Sequence, residues 1–285
     1  MGIFLRHSHN VKPERWGSEA DIQYAIRKNS EKIYGVDPDS NVLVMPLFFG
    51  FPCLDFSGKQ NHGTPVGGVA YHSGSLDFNG TTGYVDGGSN PSLDNLVDSG
   101  DFSGAAQIYM TAHSAITGSP GWRQRIFAKR NAAPTDGWVV SIGDIKSIDF
   151  VSISAGSGDA IYKSSADDIP LNQWKFVAFA YTNSSQSAKL YIDGQEVSYT
   201  VQTAGVDATH IDSSASLRIG ASYNLAAYQF FNGLIPEVRI NNIALTAEQI
   251  ALFYARPWDL YRRVGRTYYS IAAAPSIYIP RIMIF

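Results

Sequence analysis

The chain has 285 residues and a formal net charge of −3, from 22 Lys plus Arg against 25 Asp plus Glu. Charged residues make up only 16% of the chain and aromatic residues 13%, which favours a β-rich protein whose surface is covered by small polar residues. Two classes are excluded, because the near-neutral charge gives no general reason to bind nucleic acid and no apolar run reaches the roughly 18–20 residues of a membrane helix.

The N-terminus and the cysteine content indicate where the chain folds. The first ten residues contain one early arginine and no apolar stretch after it, which argues against a secretory signal peptide. Cys53 is the single cysteine and cannot form an internal disulfide. We therefore expect folding in a reducing cytoplasm, with Cys53 as an inert buried thiol.

Residues 1–40 are expected to form an arm that contains one helix. Ser18 and Asp21 approximate a capping box, and apolar residues then recur near helical spacing as far as Ile33. This pattern predicts a helix near residues 19–33. Two arrangements stay open: the arm lies on its own domain, or it reaches a neighbouring subunit.

From residue 42 to residue 244 the pattern is one of short β-strands separated by turns. Asp193-Gly194 is a strong hairpin signal, and Asn79-Gly80 suggests a second tight hairpin. About a dozen strands with no helix between them predict an all-β antiparallel sandwich or barrel. In chain order, the predicted strands are Val42–Phe49, Ser75–Phe78, Tyr84–Val85, Gln107–Thr111, Arg125–Lys129, Trp138–Ile142, Asp149–Ile153, Trp174–Thr182, Lys189–Ile192, Gln195–Ser198, Leu217–Gly220 and Glu237–Ile240.

The C-terminal tail is the one basic element of the chain. Thr246 and Gln249 form a capping box that opens a short helix, which Pro257 ends. Residues 256–285 carry five arginines and one aspartate and are rich in aromatic and aliphatic side chains. Because such a segment is too short to fold alone, we predict that it is an assembly and docking arm. Its candidate contact residues are Trp258, Tyr261, Arg262, Arg263, Tyr268, Tyr269 and Phe285.

Four motifs in order carry a resemblance to a known family. They are Asp55–Thr64 (DFSGKQNHGT), Ser75–Val85 (SLDFNGTTGYV), the pair Trp174–Ala178 and Lys189–Gly194 (WKFVA, KLYIDG), and the closing stretch Phe231–Ile250. Together they resemble the laminin-G-like, concanavalin-A-like jelly rolls of bacterial and phage proteins. The resemblance implies one jelly-roll sandwich over residues 41–255, with Trp174 and Tyr191 filling its core, between an N-terminal arm (1–40) and a C-terminal arm (256–285).

A second, shorter resemblance concerns the tail. Ala255–Tyr261 (ARPWDLY) is similar to an N-P-W-x-L-(F/Y) tail found in jelly-roll proteins encoded among bacteriophage structural genes. It implies a virion protein that folds in the host cytoplasm and acts outside the cell after lysis.

An enzyme is the first alternative to weigh. Glycoside hydrolases of this fold place two glutamates on one strand as acid and nucleophile. No two glutamates of this chain share a predicted strand, so the resemblance does not extend to catalysis and a hydrolase is the weakest hypothesis. The glutamates are Glu14, Glu19, Glu31, Glu196, Glu237 and Glu248.

Metal and sugar binding are the remaining questions. No cofactor is required, although the family resemblance leaves a structural Ca²⁺ open. Pro236 stands where the family's closing motif usually has an aspartate, which removes one oxygen ligand. Trp122, Trp138 and Tyr223 are the candidates for stacking on a sugar ring, against the more ordinary role of an aromatic residue in a core or an interface.

The sequence thus predicts a non-enzymatic structural protein of a bacteriophage particle, either a capsid decoration or a tail- or fibre-associated protein. It would display a lectin-like jelly roll and be docked by its terminal arms. The expected partners are other virion proteins, further copies of the chain and host surface glycans, but neither a membrane nor nucleic acid. The alternative is a free carbohydrate-binding module, and the ligand-binding residues stay unassigned.

Overall fold

The computed structural model describes residues 18–50, 52–113, 123–131, 136–143, 145–153, 158–206, 212, 214–226 and 229–264. Within these ranges the chain forms two antiparallel β-sheets that pack face to face, with two of the helices on one outer side. The strands are β1 (Asn41–Met45), β2 (Thr64–Val66), β3 (Val69–His72), β4 (Ser75–Asn79), β5 (Tyr84–Asp86), β6 (Phe102–Met110), β7 (Gln124–Arg130), β8 (Gly137–Ile142), β9 (Ile148–Ile153), β10 (Ala160–Ser164), β11 (Trp174–Thr182), β12 (Ser187–Ile192), β13 (Gln195–Glu196), β14 (Tyr199–Thr203), β15 (Arg218–Ile219) and β16 (Asn232–Asn241). The helices are α1 (Glu19–Tyr34), α2 (Leu96–Ser99) and α3 (Ala247–Ala255), with short 3₁₀ turns at Pro38–Ser40, Leu47–Phe49, Asn183–Ser185 and Asp259–Tyr261.

The two sheets each contain eight of the described strands. The first runs in the order β13-β12-β11-β6-β16-β4-β3, and β1 pairs with the half of β16 that β4 leaves free. The second runs β14-β10-β9-β8-β7-β15-β5-β2. This arrangement confirms the predicted all-β antiparallel sandwich.

The core between the sheets is built from alternate residues of each strand. On β11, Val177, Phe179 and Tyr181 face the second sheet, as the two-residue period of a strand requires. They meet an aromatic centre in which the Phe150 and Phe179 ring centroids lie 5.0 Å apart and those of Phe102 and Trp138 lie 5.1 Å apart.

A second apolar cluster covers the outer face of the first sheet. The intervening residues of β11, Phe176, Ala178 and Ala180, point away from the sandwich and are also buried. Apolar residues of α1, α3 and the C-terminal turn pack on them. Strand β11 therefore reads as a continuous apolar run because both of its faces are covered.

Helix α1 confirms the predicted helix and lies on its own domain, the first of the two arrangements considered. The Ser18 side chain accepts a hydrogen bond from the Asp21 backbone N–H, and Gly35 closes the helix in a left-handed conformation (φ 62°). Helix α3 begins with the predicted capping box, in which Thr246 and Gln249 bond reciprocally.

One predicted hairpin is wrong. Strands β4 and β5, on either side of Asn79-Gly80, belong to different sheets. The Asn79 side-chain oxygen accepts hydrogen bonds from the backbone N–H groups of Thr81, Thr82 and Gly83, which folds the chain over the sandwich edge. Asp193-Gly194, by contrast, joins β12 to β13 as a true hairpin, with both residues at positive φ.

Two residues expected in the sandwich core lie elsewhere. Tyr191 is buried in the outer cluster beneath the helices, and Trp174 is half-buried against Tyr109, with ring centroids 5.3 Å apart. Both side chains fall on the outward face because strand parity fixes the side of the sheet that each residue faces.

Candidate functional site

The closing segment, residues 256–262, does not project from the domain. Trp258 and Tyr261 are 8% and 1% exposed and pack within the outer cluster of the first sheet. The Phe48 ring makes edge contacts with both of their rings, at 5.1 Å between centroids. The structure corrects the expectation that these two side chains face a partner, because the chain's own residues already cover them.

Hydrogen bonds from two elements hold the closing segment in place. Asn29 of α1 donates its side-chain N–H groups to the carbonyls of Leu260 (3.0 Å) and Arg262 (2.7 Å). Arg239 of β16 donates to the Pro257 carbonyl at 2.6 Å. The N-terminal helix and the closing segment therefore form one layer on the sheet.

A buried charge cluster lies beneath that layer. Glu237 accepts hydrogen bonds from the Arg239 guanidinium and from the Tyr261 hydroxyl. Burial, together with the Glu237 carboxylate, raises the pKa of Tyr261 well above its usual value. Glu237 is thus a structural acceptor with no access to solvent.

The rest of the predicted docking set is only partly described. Arg262 and Arg263 are exposed, so a docking role for them stays a prediction. Tyr268, Tyr269 and Phe285 lie outside the described residues.

On the outer face of the second sheet, the described side chains at the centre are buried. The register places Ala128, Val139 and Val151 side by side on this face, and all three are buried. The next pair of residues on the same face, Ser141 and Asp149, is also fully buried. The Asp149 carboxylate is bound by the Arg123 guanidinium (3.0 Å) and by the Ser147 hydroxyl (2.6 Å), so this acid has a structural environment.

The glutamates do not form a catalytic pair within the described part of the chain. Glu237 is buried on β16, whereas Glu196 lies on the edge strand β13, which three other strands of the same sheet separate from β16. Glu19, Glu31 and Glu248 are exposed on helices α1 and α3. Glu14 lies outside the described residues.

The aromatic candidates for sugar stacking do not form a binding platform. Trp138 is fully buried in the core between the sheets. Tyr223 is half-buried, with the Arg130 guanidinium 4.9 Å above its ring. Trp122 lies outside the described residues.

The described acidic residues do not fit a resident Ca²⁺. Within the described ranges no three His, Cys, Asp or Glu side chains come together as a metal site. The Asp55 carboxylate accepts hydrogen bonds from the backbone N–H groups of Val44, Ser57 and Asn61. Asp55 therefore closes a turn and leaves little acceptor capacity for a cation.

A second acidic cluster contains its own cation. The fully buried Lys129 ammonium donates to the Asp94 carboxylate (2.8 Å) and to the carbonyls of Ala215 (2.6 Å) and Asp212 (3.2 Å). Its nitrogen also lies 3.8 Å from the Asp212 carboxylate. Burial raises the pKa of Asp212 to about 6, against the opposing effect of Lys129.

The structure also bears on the predictions about a membrane and about Cys53. None of the helices in the described ranges is both long and apolar enough to cross a membrane. Cys53 is buried, and burial raises the pKa of its thiol to about 12, so the thiol is unreactive as expected.

A polar groove of about 270 Å³ opens at one rim of the sandwich. It lies where two connections cross between the sheets: residues 165–173, from β10 to β11, and residues 197–198, from β13 to β14. A hydrogen bond from the Ser165 N–H to the Ser198 carbonyl (2.9 Å) joins these connections. Beside it, the Thr200 hydroxyl of β14 donates to the Ser164 carbonyl of β10 (2.9 Å). The rim groove is lined by Ser165, Asp168, Lys175, Ile192, Gln195, Glu196, Val197 and Ser198.

The β12–β13 hairpin forms one wall of the rim groove. Asp193 at its turn accepts hydrogen bonds from the Lys175 ammonium (2.7 Å) and from the Phe176 backbone N–H (3.0 Å). Gly194 lies against Tyr254 of α3, so that an added Cβ would come within 3.0 Å of that ring. The hairpin is therefore fixed on both sides.

Glu196 is oriented by two neighbours. Its carboxylate pairs with Lys189 at 3.1 Å and accepts a hydrogen bond from the Tyr199 hydroxyl at 3.2 Å. That hydroxyl also accepts a hydrogen bond from the Leu190 N–H, and burial raises the pKa of Tyr199. The carboxylate is thus held at the exposed edge of the rim groove.

Several polar groups of the rim groove are available to a ligand. The Asp168 carboxylate, the Gln195 amide and the Ser198 hydroxyl make no side-chain hydrogen bond or ion pair with any described residue. They lie beside the apolar surface of Ile192 and Val197. Orienting polar groups next to apolar walls are typical of small-ligand sites.

The sequence contains little that indicates this site. The Asp193-Gly194 hairpin, which was predicted, is the one local signal for a wall of the rim groove. Asp168 and Gln195 are 27 positions apart in the chain, and no periodicity or motif indicates that the sandwich rim brings them together.

The sequence matches, over residues 79–251, a family model described as the Concanavalin A-like lectin/glucanases superfamily. This span includes the Trp174–Gly194 pair of motifs and all of the closing motif, while Asp55–Thr64 precedes it. None of the curated protein sequences matches this chain.

Solved structures with a similar fold include binding domains. Domain 4 of AbnA, a GH43 extracellular arabinanase from Geobacillus stearothermophilus, in complex with arabinotriose, is 22% identical with a TM-score of 0.52, covering 74% of this chain and 97% of that one. The binding domain of botulinum neurotoxin DC, in complex with rat synaptotagmin II, is 15% identical with a TM-score of 0.59, and the match covers 76% of this chain and 52% of that one. A structure of botulinum neurotoxin type C, whose cell entry depends on two ganglioside molecules, is 16% identical with a TM-score of 0.57, and the match covers 76% of this chain and 51% of that one.

These similarities bear on the fold alone, because the identities are so low. The chain also spans only about half the length of the two neurotoxin structures.

Proposed function

The chain belongs to the Concanavalin A-like lectin/glucanases superfamily, and from that premise we propose that it is a non-enzymatic domain that binds glycans in the rim groove. The observation that carries the proposal is the groove itself, where unpaired acceptors and donors stand beside apolar side chains. A sugar presents both hydroxyl groups and C–H faces, and a site with this mixture matches it.

The closure of the two outer faces supports the choice of this site. Helices and the closing segment cover the first sheet, and the centre of the second sheet is buried. A glycan at the centre of either face would have to displace these buried side chains. The rim groove is open without any such rearrangement.

Two solved structures support the choice of ligand. Domain 4 of the arabinanase is in complex with arabinotriose, and cell entry of neurotoxin type C depends on gangliosides. These statements concern those proteins, and they make the lectin-like fold a reasonable basis for testing glycans first. The neurotoxin DC domain is bound to a protein, which is the main competing kind of ligand.

The carboxylate positions support a binding protein rather than a glycosidase. Retaining and inverting enzymes need two carboxyl groups about 5–10 Å apart across the scissile bond. In this chain Glu237 is buried with Arg239, and Asp149 is buried with Arg123. Neither acid lines the rim groove, where Glu196 is engaged by Lys189 and Tyr199 and Asp168 is the one lining carboxylate without a described partner.

We further propose that the domain is a bacteriophage virion component, displayed as a capsid decoration or on a tail or fibre. The resemblance of residues 255–261 to the tail of phage jelly-roll proteins supports this role, as do the exposed Arg262 and Arg263 after the closing segment. Mass spectrometry of purified particles tests it, since a virion protein must be present at a fixed ratio to the major capsid protein. A chain found only in the lysate would instead favour the alternative, a free carbohydrate-binding module.

A glycan panel followed by calorimetry tests the binding function. We expect at least one oligosaccharide to bind at millimolar affinity or better, and Gln195→Ala to weaken that binding about fivefold or more. Gln202→Ala is the matched control, because Gln202 is also an exposed glutamine but lies on β14 outside the rim groove. Absence of binding across the panel would overturn the proposal, and equal effects of the two variants would overturn the assignment to the rim groove.

A further inference from the structure

The lysines around the rim groove are all engaged in ion pairs within the chain. Lys175 pairs with Asp193 at 2.7 Å, and Lys189 pairs with Glu196 at 3.1 Å. On the adjoining turn Lys146 pairs with Asp167 at 2.6 Å. An anionic ligand would meet no unpaired ammonium among these three.

One carboxylate of the same rim is left without a partner. Asp168 lines the rim groove, is half-buried and makes no ion pair with any described residue. Its neighbour in sequence, Asp167, is the one that pairs with Lys146. The three ion pairs cancel, so the unpaired charge of the rim groove is the negative charge of Asp168.

The nearest unpaired lysine along the chain faces a different surface. Lys163 is two residues before Ser165, but the register aligns it with Asp149 on the outer face of the second sheet. It therefore does not offset Asp168 inside the rim groove.

We propose that the rim groove selects neutral, hydroxyl-rich glycans and rejects glycans that carry carboxylate, sulfate or phosphate groups. This inference rests on the proposed glycan-binding function. A carboxylate accepts hydrogen bonds from sugar hydroxyls with both of its oxygens. The same carboxylate repels an anionic sugar, because like charges brought together in a partly buried site disfavour binding.

Asp168 acts as the specificity-determining residue in this arrangement. The Gln195 amide and the Ser198 hydroxyl both donate and accept, so they tolerate either kind of ligand. Asp168 can only accept while it is ionised, and an anionic group offers it nothing to accept. Discrimination therefore depends on one side chain whose charge can be changed.

Calorimetry with matched pairs of oligosaccharides tests the inference at low salt, where screening is weakest. The pairs are lactose with sialyllactose, and galactotriose with trigalacturonate, and arabinotriose serves as a further neutral probe. We expect the neutral member to bind the wild-type chain about tenfold or more tightly than its anionic counterpart.

Charge substitutions then identify the source of the preference. Asp168→Asn is expected to reduce the ratio of affinities, and Asp168→Lys to shift it by about tenfold or more towards the anionic member. Asp77→Asn is the matched control, since it removes the same charge from half-buried Asp77 on β4, on the opposite side of the first sheet. It should leave the ratio unchanged.

The outcomes separate this inference from the function on which it rests. Binding of anionic members as tightly as neutral ones, or a ratio that Asp168→Lys does not change, would overturn the inference while the glycan-binding function stands. Failure of every oligosaccharide of both kinds to bind would overturn the function and the inference together.

Discussion

The hydroxyl of Tyr261 donates a hydrogen bond to the carboxylate of Glu237, 24 positions earlier in the chain, inside a fully buried cluster. This bond joins the turn after the last helix to the central strand β16. Arg239 supplies the positive charge that the buried carboxylate needs. A segment that looked like a free arm is in this way part of the domain.

Removal of the Tyr261 hydroxyl should loosen the closing segment. Tyr261→Phe takes one hydrogen bond from a buried, charged acceptor, and bonds to charged groups contribute about 1.5–3 kcal/mol. We expect urea denaturation to show a decrease of that size in the free energy of unfolding. Tyr109→Phe is the control, because Tyr109 is half-buried on the same sheet and makes no side-chain hydrogen bond in the described structure. Equal effects of the two variants would contradict the role of the Tyr261 bond.

Loss of the Lys129 ammonium should be among the most damaging single changes. Lys129→Met leaves the Asp94 and Asp212 carboxylates without their buried cation, and breaking a buried pair in this way costs about 3–5 kcal/mol. Thermal and urea denaturation measure the change. The control is Lys146→Met, because the Lys146–Asp167 pair is 46% and 71% exposed and such pairs contribute at most about 1 kcal/mol. A Lys129→Met variant as stable as this control would contradict our description of the cluster.

The raised pKa of Asp212 predicts a specific pH dependence. The folded-state pKa is about 6, above the usual value of 3.8, so between these values the folded chain binds more protons than the unfolded chain. The resulting contribution of Asp212 to the free energy of unfolding is fully present below about pH 4 and is lost as the pH rises through 6. This contribution amounts to about 3 kcal/mol.

Substitution isolates that contribution from other titrating groups. Asp212→Asn cannot ionise, so its free energy of unfolding relative to wild type should rise by about 3 kcal/mol between pH 4 and pH 7. Denaturation curves at several pH values measure the difference. Asp136→Asn controls for another buried carboxylate of the same cluster. Parallel pH profiles for Asp212→Asn and wild type would refute the assignment.

The hairpin that walls the rim groove gives a fourth prediction. Gly194→Ala places a Cβ at positive φ (79°) and within 3.0 Å of Tyr254, whereas Gly35→Ala meets the same backbone strain (φ 62°) with no atom within 4 Å. Left-handed strain alone costs about 1–2 kcal/mol, so both variants lose stability and Gly194→Ala loses more. Denaturation and calorimetry together should show weaker glycan binding for Gly194→Ala but not for Gly35→Ala. Unchanged glycan binding by Gly194→Ala would show that the hairpin is not part of the binding site.

The fold was predictable because its signals are local. Each of these signals determines structure within a few neighbouring residues. They are the capping residues Ser18 and Thr246, the Asp193-Gly194 turn and the apolar run Trp174–Thr182. The hairpin predicted at Asn79-Gly80 is wrong because an asparagine side chain can close a turn by itself, and this turn lies between strands of different sheets. Which sheet receives the next strand depends on packing across the whole sandwich.

The site was not predictable for the opposite reason. Asp168 and Gln195 come together only because the two connections between the sheets meet at the rim. Their charge environment also depends on which lysines are already paired. Trp258 and Tyr261 show the same limit, since aromatic residues in a tail have the same composition whether they contact a partner or fold back onto their own sheet.

A nuclear magnetic resonance titration tests the central proposal most directly. Isotope-labelled full-length chain is titrated with galactotriose and arabinotriose, and backbone amide shifts are followed to saturation. We predict shifts confined to residues 165–168, Lys175 and residues 192–198. Shifts centred instead on Ala128, Val139 and Val151 of the second sheet, or no shifts at millimolar sugar, would contradict glycan binding at the rim groove.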